Sequence, residues 1–161
     1  MTLREFSEYY NMTKYADIPV HARPNRKFSD NSANELTKSI LAYFEMVGVK
    51  AWRESSDGRY LPAPEVKNIM GRTVTLGRGK YIPRSKGAKG MGDISAVIDG
   101  LFTSWEVKFG KDRQSDVQKE TQKEIENSGG KYYIVKTWED FIFQVEPLIK
   151  SKTRPLSVHR V

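Results

Sequence analysis

The dipeptide Asp99-Gly100 constrains the fold more than any other feature of this chain, because it favours a tight type I′ turn between two β-strands. Runs rich in β-branched and aromatic residues lie on both sides of it, as a β-hairpin requires. If these two residues are the whole loop, Ile98 pairs with Leu101, and each step away from the turn keeps that register. Asp93 then lies directly opposite Glu106. Directly opposed side chains have Cβ atoms roughly 4.5–5.5 Å apart, and like charges at that spacing destabilise a sheet.

Lys108 shares a strand face with these two carboxylates, because side chains two residues apart point the same way. A Glu-x-Lys pair on a strand is often only a solvated ion pair, but the opposed carboxylates of Asp93 and Glu106 indicate a cation between them. Oxygen ligands without Cys or His favour Mg²⁺ or Mn²⁺ over zinc. The chain has no Cys, which excludes disulfides. Its two histidines, His21 and His159, are far apart in sequence, which argues against a His-rich zinc site or a Ser–His–Asp triad.

The same register divides the hairpin into two faces. Alternation predicts that the apolar face packs against the core and that the polar face has a different environment. The polar face carries Asp93, Ser95, Ser104, Glu106 and Lys108, and the apolar face carries Ile94, Ala96, Ile98, Leu101, Trp105, Val107 and Phe109.

Capping signals and hydrophobic periodicity predict an α/β fold around this hairpin. Ser32-Ala33-Asn34-Glu35 matches a capping box, and Ser115-Asp116-Val117-Gln118 matches a second one that opens a polar helix running to about Asn127. Strands are predicted at 49–53 and 131–136, and a final helix follows the second of these. The order of helix, strand, hairpin, helix, strand, helix is typical of an α/β sandwich around a mixed sheet.

At 161 residues the chain is about the length of one domain. We expect an N-terminal extension at 1–30, a core domain at 31–150 that contains an insertion loop at 58–92, and a basic tail at 151–161. The net charge is +7 and the pI about 9.5, which favours a polyanionic partner. No apolar run approaches the roughly 20 residues that span a bilayer, so no membrane partner is expected.

Basic residues are concentrated in the predicted insertion, which has eight Lys and Arg against one acid, Glu65. Their spacing along a loop rich in Gly and Pro, with Tyr60 and Tyr81 between them, suits contacts with DNA phosphates. A solvated loop is the alternative. The predicted DNA contacts are Arg78, Lys80, Arg84, Lys86 and Lys89, together with Lys111 and Arg113 in the loop after the hairpin.

Several of these segments occur together in a known family pattern. They are Glu35 in a helix, the run Gly90-Met91-Gly92-Asp93, the strand residues Glu106-Val107-Lys108, Gln118 in a helix, and a closing strand followed by Trp138-Glu139-Asp140. This combination resembles the PD-(D/E)XK nuclease superfamily, and most closely its virus-type replication-repair nuclease (VRR-NUC) group, over roughly residues 32–145. The sequence departs from the pattern at Gly92, where the superfamily has proline, and in its long insertion before Asp93.

The resemblance implies a restriction-endonuclease-like α/β sandwich, with a central mixed β-sheet flanked by helices, that hydrolyses DNA phosphodiester bonds with Mg²⁺ or Mn²⁺. Asp93, Glu106 and the Val107 backbone carbonyl would then be metal ligands, and Lys108 would be catalytic. Glu35 would complete the metal site, and Gln118 would be a further catalytic residue. Helix capping explains both Glu35 and Gln118 equally well.

Small stand-alone members of the group resemble junction resolvases. The resemblance therefore also implies a homodimer that acts on branched or duplex DNA, in the cytoplasm of a bacterium or of a virus-infected host cell. Two alternatives stay open: a non-catalytic nucleic-acid-binding module on a nuclease fold, and a sequence-specific restriction-type endonuclease.

Overall fold

The computed structural model describes residues 1–54, 59–82 and 90–149. These residues form two compact units. The main unit consists of the chain up to Glu54 and from Gly90 onward, and the insertion unit is the segment between them. The basic tail predicted at 151–161 lies outside the described residues. The helices of the main unit are α1 (Leu3–Lys14), α2 (Ala33–Met46), α3 (Asp116–Asn127) and α4 (Trp138–Ile149), with a short 3₁₀ turn at Val20–Ala22.

The strands belong partly to the main unit and partly to the insertion unit. In chain order they are β1 (Lys50–Arg53), β2 (Arg59–Leu61), β3 (Glu65–Lys67), β4 (Thr73–Thr75), β5 (Lys80–Ile82), β6 (Ile94–Ile98), β7 (Leu101–Val107) and β8 (Lys131–Val135). The described part of the main unit contains one mixed sheet in the order β1-β6-β7-β8. β6 is antiparallel to both β1 and β7, whereas β7 and β8 are parallel. The predicted mixed α/β architecture is therefore confirmed.

Helices pack on both faces of this sheet. On the apolar face, the ring of Trp105 contacts Phe44 of α2 and Phe141 of α4, with ring centroids 5.8 and 5.3 Å apart. On the polar face, Gln118 of α3 donates a hydrogen bond to Glu106. The sheet therefore separates an aromatic core from a polar cluster under the start of α3.

The hairpin has the register that its turn predicts. Ile98 pairs with Leu101, and the ladder continues unbroken to Ile94 and Trp105. Asp99 and Gly100 both have positive φ, 52° and 83°, as a type I′ turn requires. The local turn chemistry thus sets which side chains share each face.

Most of the predicted apolar face lies in the core. Its buried members are Ile94, Ala96, Ile98, Trp105 and Val107. Leu101 is only half-buried, and the placement of Phe109 in the core is wrong, because its side chain is 48% exposed. Phe109 lies two residues beyond Val107, the last residue of β7, so strand alternation no longer determines where its side chain points.

Residues 1–30, predicted as an N-terminal extension, are part of the main unit. Phe6 and Tyr10 of α1 are buried in the same aromatic core, and the ring of Phe6 stacks on Trp138 with centroids 4.9 Å apart. The Trp138 indole also donates to the carbonyl of Met1 at 3.0 Å, and its amide donates to Asp30 at 3.0 Å. α1 buries only these two residues, so its sequence shows a weak apolar stripe.

Of the two predicted capping boxes, the one at α3 forms completely and the one at α2 forms only in part. At the start of α3 the box is complete, because Ser115 Oγ accepts from the Gln118 amide and the Gln118 side chain accepts from the Ser115 amide. At the start of α2 only half of it forms, with Ser32 Oγ accepting from the Glu35 amide at 3.2 Å. The Glu35 carboxylate instead accepts from Ser29 Oγ at 3.0 Å.

The insertion unit contains strands where a loop was expected. β2 pairs with β5, and β3 pairs with β4, each as an antiparallel two-stranded ribbon. Its sequence, Ser55–Lys89, has eight Lys and Arg against two acids, and so carries +6 of the chain's net +7. Gly90 to Gly92 belong to the main unit, so the insertion ends earlier than predicted.

Candidate active site

Asp93 immediately precedes β6, and its carboxylate is held against β7. Its Oδ2 accepts a hydrogen bond from the Val107 backbone amide at 2.9 Å. Because the ladder ends at Ile94 and Trp105, one further step places Asp93 opposite Glu106, as the register predicts. A carboxylate that accepts from a backbone amide forms a charge-assisted bond, which fixes its orientation.

Glu106 and Lys108 form a buried ion pair on the polar face of β7. Lys108 Nζ lies 2.8 Å from Glu106 Oε1, and the two side chains are only 7% and 6% exposed. Lys108 Nζ also lies 3.3 Å from Asp112 Oδ2 at the surface. Removing one partner of such a buried pair costs about 3–5 kcal/mol, because the other charge is left uncompensated.

Burial and the neighbouring charges together shift the pKa values of both residues of this pair. Burial raises the pKa of Glu106; hydrogen bonds from Lys108 and Gln118 oppose that rise, and the nearby charge of Asp93 adds to it. Burial lowers the pKa of Lys108, but its bonds to Glu106 and Asp112 outweigh that effect and leave the pKa raised. Lys108 is therefore an ammonium group at neutral pH, held beside two carboxylates.

Gln118 is both a helix cap and a member of this cluster, so the two interpretations of the sequence are compatible. Its Nε2 donates to Glu106 Oε1 at 2.6 Å, and its Oε1 accepts from Lys108 Nζ at 3.2 Å. The same Oε1 accepts from the Ser115 amide at 2.9 Å, which completes the capping box. One amide thus ties the start of α3 to both charges of the ion pair.

Tyr132 of β8 is a member of the cluster that the sequence did not reveal. Its hydroxyl lies 3.4 Å from Glu106 Oε2 and 3.3 Å from the Gly90 carbonyl oxygen. A phenol has one proton to donate, so it bonds to one of these acceptors at a time. Burial and the charge of Glu106 raise the pKa of Tyr132, so the hydroxyl stays protonated and available as a donor. The parallel register opposes Tyr132 to Ser104, and no turn or motif in the sequence predicts that pairing.

Gly92 is required by the close approach of the chain before Asp93 to β7. Its amide donates to Ser104 Oγ at 3.0 Å, and a Cβ at this position would lie 2.7 Å from the carbonyl carbon and oxygen of Trp105. Proline has no amide proton and carries a Cβ, so it fits neither condition. The contacts with Ser104 and Trp105 are therefore a physical reason for glycine and against proline at position 92.

Glu54 is a second residue that the sequence analysis missed. Its Oε1 accepts from Ser95 Oγ at 2.7 Å and from the Trp52 indole at 2.8 Å. Its amide donates to the Asp93 carbonyl oxygen at 2.8 Å, so it continues the pairing of β1 with β6 by one residue. Extending the alternation of β1 by one residue, from Trp52 to Glu54, is the signal that could have found it.

The side-chain oxygens of this cluster could bind Mg²⁺ or Mn²⁺ through two carboxylates. Asp93 and Glu106 are the two acids, and Mg²⁺ is commonly bound through one or two carboxylates with water filling the remaining positions. Val107 lies between the ion-pair residues, and its amide binds Asp93, so its backbone borders the site. In residues 1–54, 59–82 and 90–149, no three His, Cys, Asp or Glu side chains are grouped closely enough to hold a metal ion.

Glu35 is consequently not a third acid in a metal-binding group with Asp93 and Glu106. It lies at the N-terminal turn of α2, where its exposed carboxylate accepts from Ser29. The Ser29 hydroxyl donates to the Glu35 carboxylate, and the positive end of the helix dipole favours an acid in the first turn. These two local interactions explain an acid at position 35 without a metal ion.

The predicted DNA-binding residues fall into three groups. Lys111 and Arg113 are exposed, and in sequence they flank Asp112, whose carboxylate lies 3.3 Å from Lys108 Nζ. Arg78 and Lys80 are exposed in the insertion unit. Arg84, Lys86 and Lys89 lie outside the described residues.

Comparison of the whole chain with family models finds no match, and comparison with curated proteins finds none either. None of the helices described is both long and apolar enough to cross a bilayer.

Proposed function

We propose that this protein is a Mg²⁺- or Mn²⁺-dependent DNA endonuclease of the PD-(D/E)XK type, resembling the VRR-NUC group and selective for branched DNA. The observation that carries the proposal is the convergence of Asp93, Glu106 and Lys108 on one face of the hairpin, with Gln118 bridging the last two. A mixed sheet flanked by helices supports a restriction-endonuclease-like sandwich. The homodimer and the cytoplasmic setting follow only from the resemblance and belong to the same proposal.

The chain's own groups have separate roles in this reaction. Asp93 and Glu106 would hold the cation, with the Val107 carbonyl as a further oxygen. Such a cation, when bound, acidifies a water molecule and stabilises charge on the phosphate. The Lys108 ammonium stabilises negative charge that develops on the phosphate oxygens, and Gln118 keeps that ammonium in place.

The positive charge of the chain suits a polyanionic substrate. Lys111 and Arg113 flank Asp112, which pairs with Lys108, and the insertion unit by itself carries +6. Lys and Arg contacts to phosphates supply affinity without sequence readout, which fits selection by DNA shape.

The decisive experiment is a cleavage assay on four-way junctions, flaps, duplexes and plasmid DNA, with Mg²⁺, with Mn²⁺ and with EDTA. Asp93→Asn and Lys108→Ala are expected to abolish cleavage. Lys119→Ala is the matched control, because Lys119 is an exposed lysine whose ion pair in the described part of the chain is with Asp116. Asp93→Asn retains an oxygen that can accept from the Val107 amide, so this variant is expected to keep its fold. Metal-dependent cleavage by Asp93→Asn at the wild-type rate would refute the site.

A non-catalytic DNA-binding module is a second candidate, favoured by the lack of a group of three acids among the described residues. It predicts DNA binding without cleavage in any metal, and equal binding by Asp93→Asn. A restriction-type enzyme instead predicts cuts at one recurring sequence, which a map of cleavage positions on defined DNA identifies.

A further inference from the structure

The hairpin of β3 and β4 presents two adjacent apolar side chains to solvent at its tip. Ile69 is fully exposed and Met70 is 82% exposed. Surface apolar residues are common singly, but here two lie next to each other at the turn of a two-stranded ribbon. A narrow apolar tip of this kind can act as a wedge.

The tip is a well-defined turn. The Asn68 amide donates to the Arg72 carbonyl at 2.9 Å, and the Gly71 amide donates back to the Asn68 carbonyl at 2.8 Å. Asn68 Oδ1 also accepts from the amides of Met70 and Arg72, both at 3.0 Å. With four hydrogen bonds across five residues, the backbone under Ile69 and Met70 is held in one conformation.

Charge beside the tip indicates what kind of partner it fits. Lys67 precedes the turn and Arg72 ends it, so a cation flanks the apolar pair on each side. The insertion unit as a whole carries +6 of the chain's +7. This pattern matches a polyanion with an apolar interior. Double-helical DNA is such a partner, because its stacked bases lie between two phosphate chains.

We propose that Ile69 and Met70 form a wedge that inserts between stacked bases of DNA, while Lys67 and Arg72 contact the phosphates on either side. Inserted Ile and Met side chains unstack a base step and kink the duplex at a cost of a few kcal/mol, which favours sites where stacking is already interrupted. The wedge thereby gives the nuclease a physical basis for preferring branched DNA. This inference rests on the proposed function for its substrate.

The test uses the full chain in EDTA, where the proposed cleavage does not occur, with 2-aminopurine placed at a junction branch point or within a duplex. Binding of the wild type is expected to raise 2-aminopurine fluorescence at the branch point as the base unstacks. The double variant Ile69→Ala/Met70→Ala is expected to lose this rise and to bind the junction about tenfold more weakly, with an unchanged salt dependence. Phe143→Ala is the matched control, because Phe143 is a large apolar side chain of α4 that is also 82% exposed.

Lys67→Ala/Arg72→Ala separates the phosphate contacts from the wedge. It is expected to lower the slope of log K against log salt by about two, one for each lost phosphate contact. Wild-type fluorescence and affinity in Ile69→Ala/Met70→Ala would overturn the wedge. An equal loss of fluorescence and DNA affinity in Phe143→Ala would also overturn it. The same holds if Ile69→Ala/Met70→Ala weakens binding to phosphatidylserine vesicles but leaves binding to DNA unchanged.

Cleavage of the same DNAs with Mg²⁺ distinguishes the two proposals. If the wild type cleaves the junction but gives no fluorescence rise, the wedge is wrong and the endonuclease stands. If it gives the rise, loses it in Ile69→Ala/Met70→Ala, and never cleaves, the wedge stands and the endonuclease is wrong. Circular dichroism confirms folding of each variant, and the exposure of both tip residues makes a folding defect unexpected.

Discussion

Gly92→Pro introduces the residue that the PD-(D/E)XK pattern has before its aspartate, and it is expected to destabilise this protein. The substitution removes the amide that donates to Ser104 Oγ at 3.0 Å. It also introduces a Cβ that would lie 2.7 Å from the Trp105 carbonyl group. Both effects fall on the residue directly before Asp93, so they displace the proposed metal ligand as well.

The magnitude follows from these two contacts. A buried polar group that loses its partner costs about 1–3 kcal/mol. Forcing an extra carbon into a packed site costs about 1–3 kcal/mol more, and here the contact is with backbone of β7, which cannot rotate away. The sum is about 2–6 kcal/mol, a large share of the roughly 5–15 kcal/mol that stabilises a typical domain.

Urea unfolding followed by circular dichroism measures this loss, and two further variants separate its parts. Gly92→Ala keeps the amide and adds the close contact, whereas Ser104→Ala removes the hydroxyl and adds no atom. Each is expected to lose about 1–3 kcal/mol, and Gly92→Pro about their sum. If Gly92→Pro unfolds at the wild-type urea concentration, the close packing of Gly92 on β7 is wrong.

Two more predictions concern the polar cluster. Tyr132→Phe removes the hydroxyl that donates to Glu106 or to the Gly90 carbonyl, and it is expected to lower the unfolding free energy in urea by about 1 kcal/mol. It is also expected to slow single-turnover cleavage severalfold without changing DNA affinity. An unchanged cleavage rate would exclude a positioning role for Tyr132. Because burial raises the pKa of Glu106, the folded metal-free protein retains a proton that the unfolded chain loses near pH 4.5. The unfolding free energy should therefore decrease as pH rises from about 4.5 through the raised pKa. Glu106→Gln should flatten this decrease in urea titrations at successive pH values, and an identical profile would contradict the raised pKa.

Much of the fold could be predicted because its signals are local. Asp99-Gly100 set the hairpin register by requiring positive φ at two adjacent residues, and Ser115 and Gln118 marked the start of α3. The position of α1 could not be predicted in the same way. Phe6, one of its two buried side chains, stacks on Trp138 of α4, more than a hundred residues away in sequence.

The sequence by itself determined the trio of Asp93, Glu106 and Lys108, because a two-residue turn and the period of a strand place them on one face. Only the tertiary structure decided what surrounds that trio. Tyr132 reaches Glu106 through the parallel pairing of β7 with β8, Glu54 joins through the pairing of β1 with β6, and Glu35 binds Ser29. The physical reason is that a hairpin register depends on adjacent residues, whereas pairing between distant strands depends on how the whole core packs.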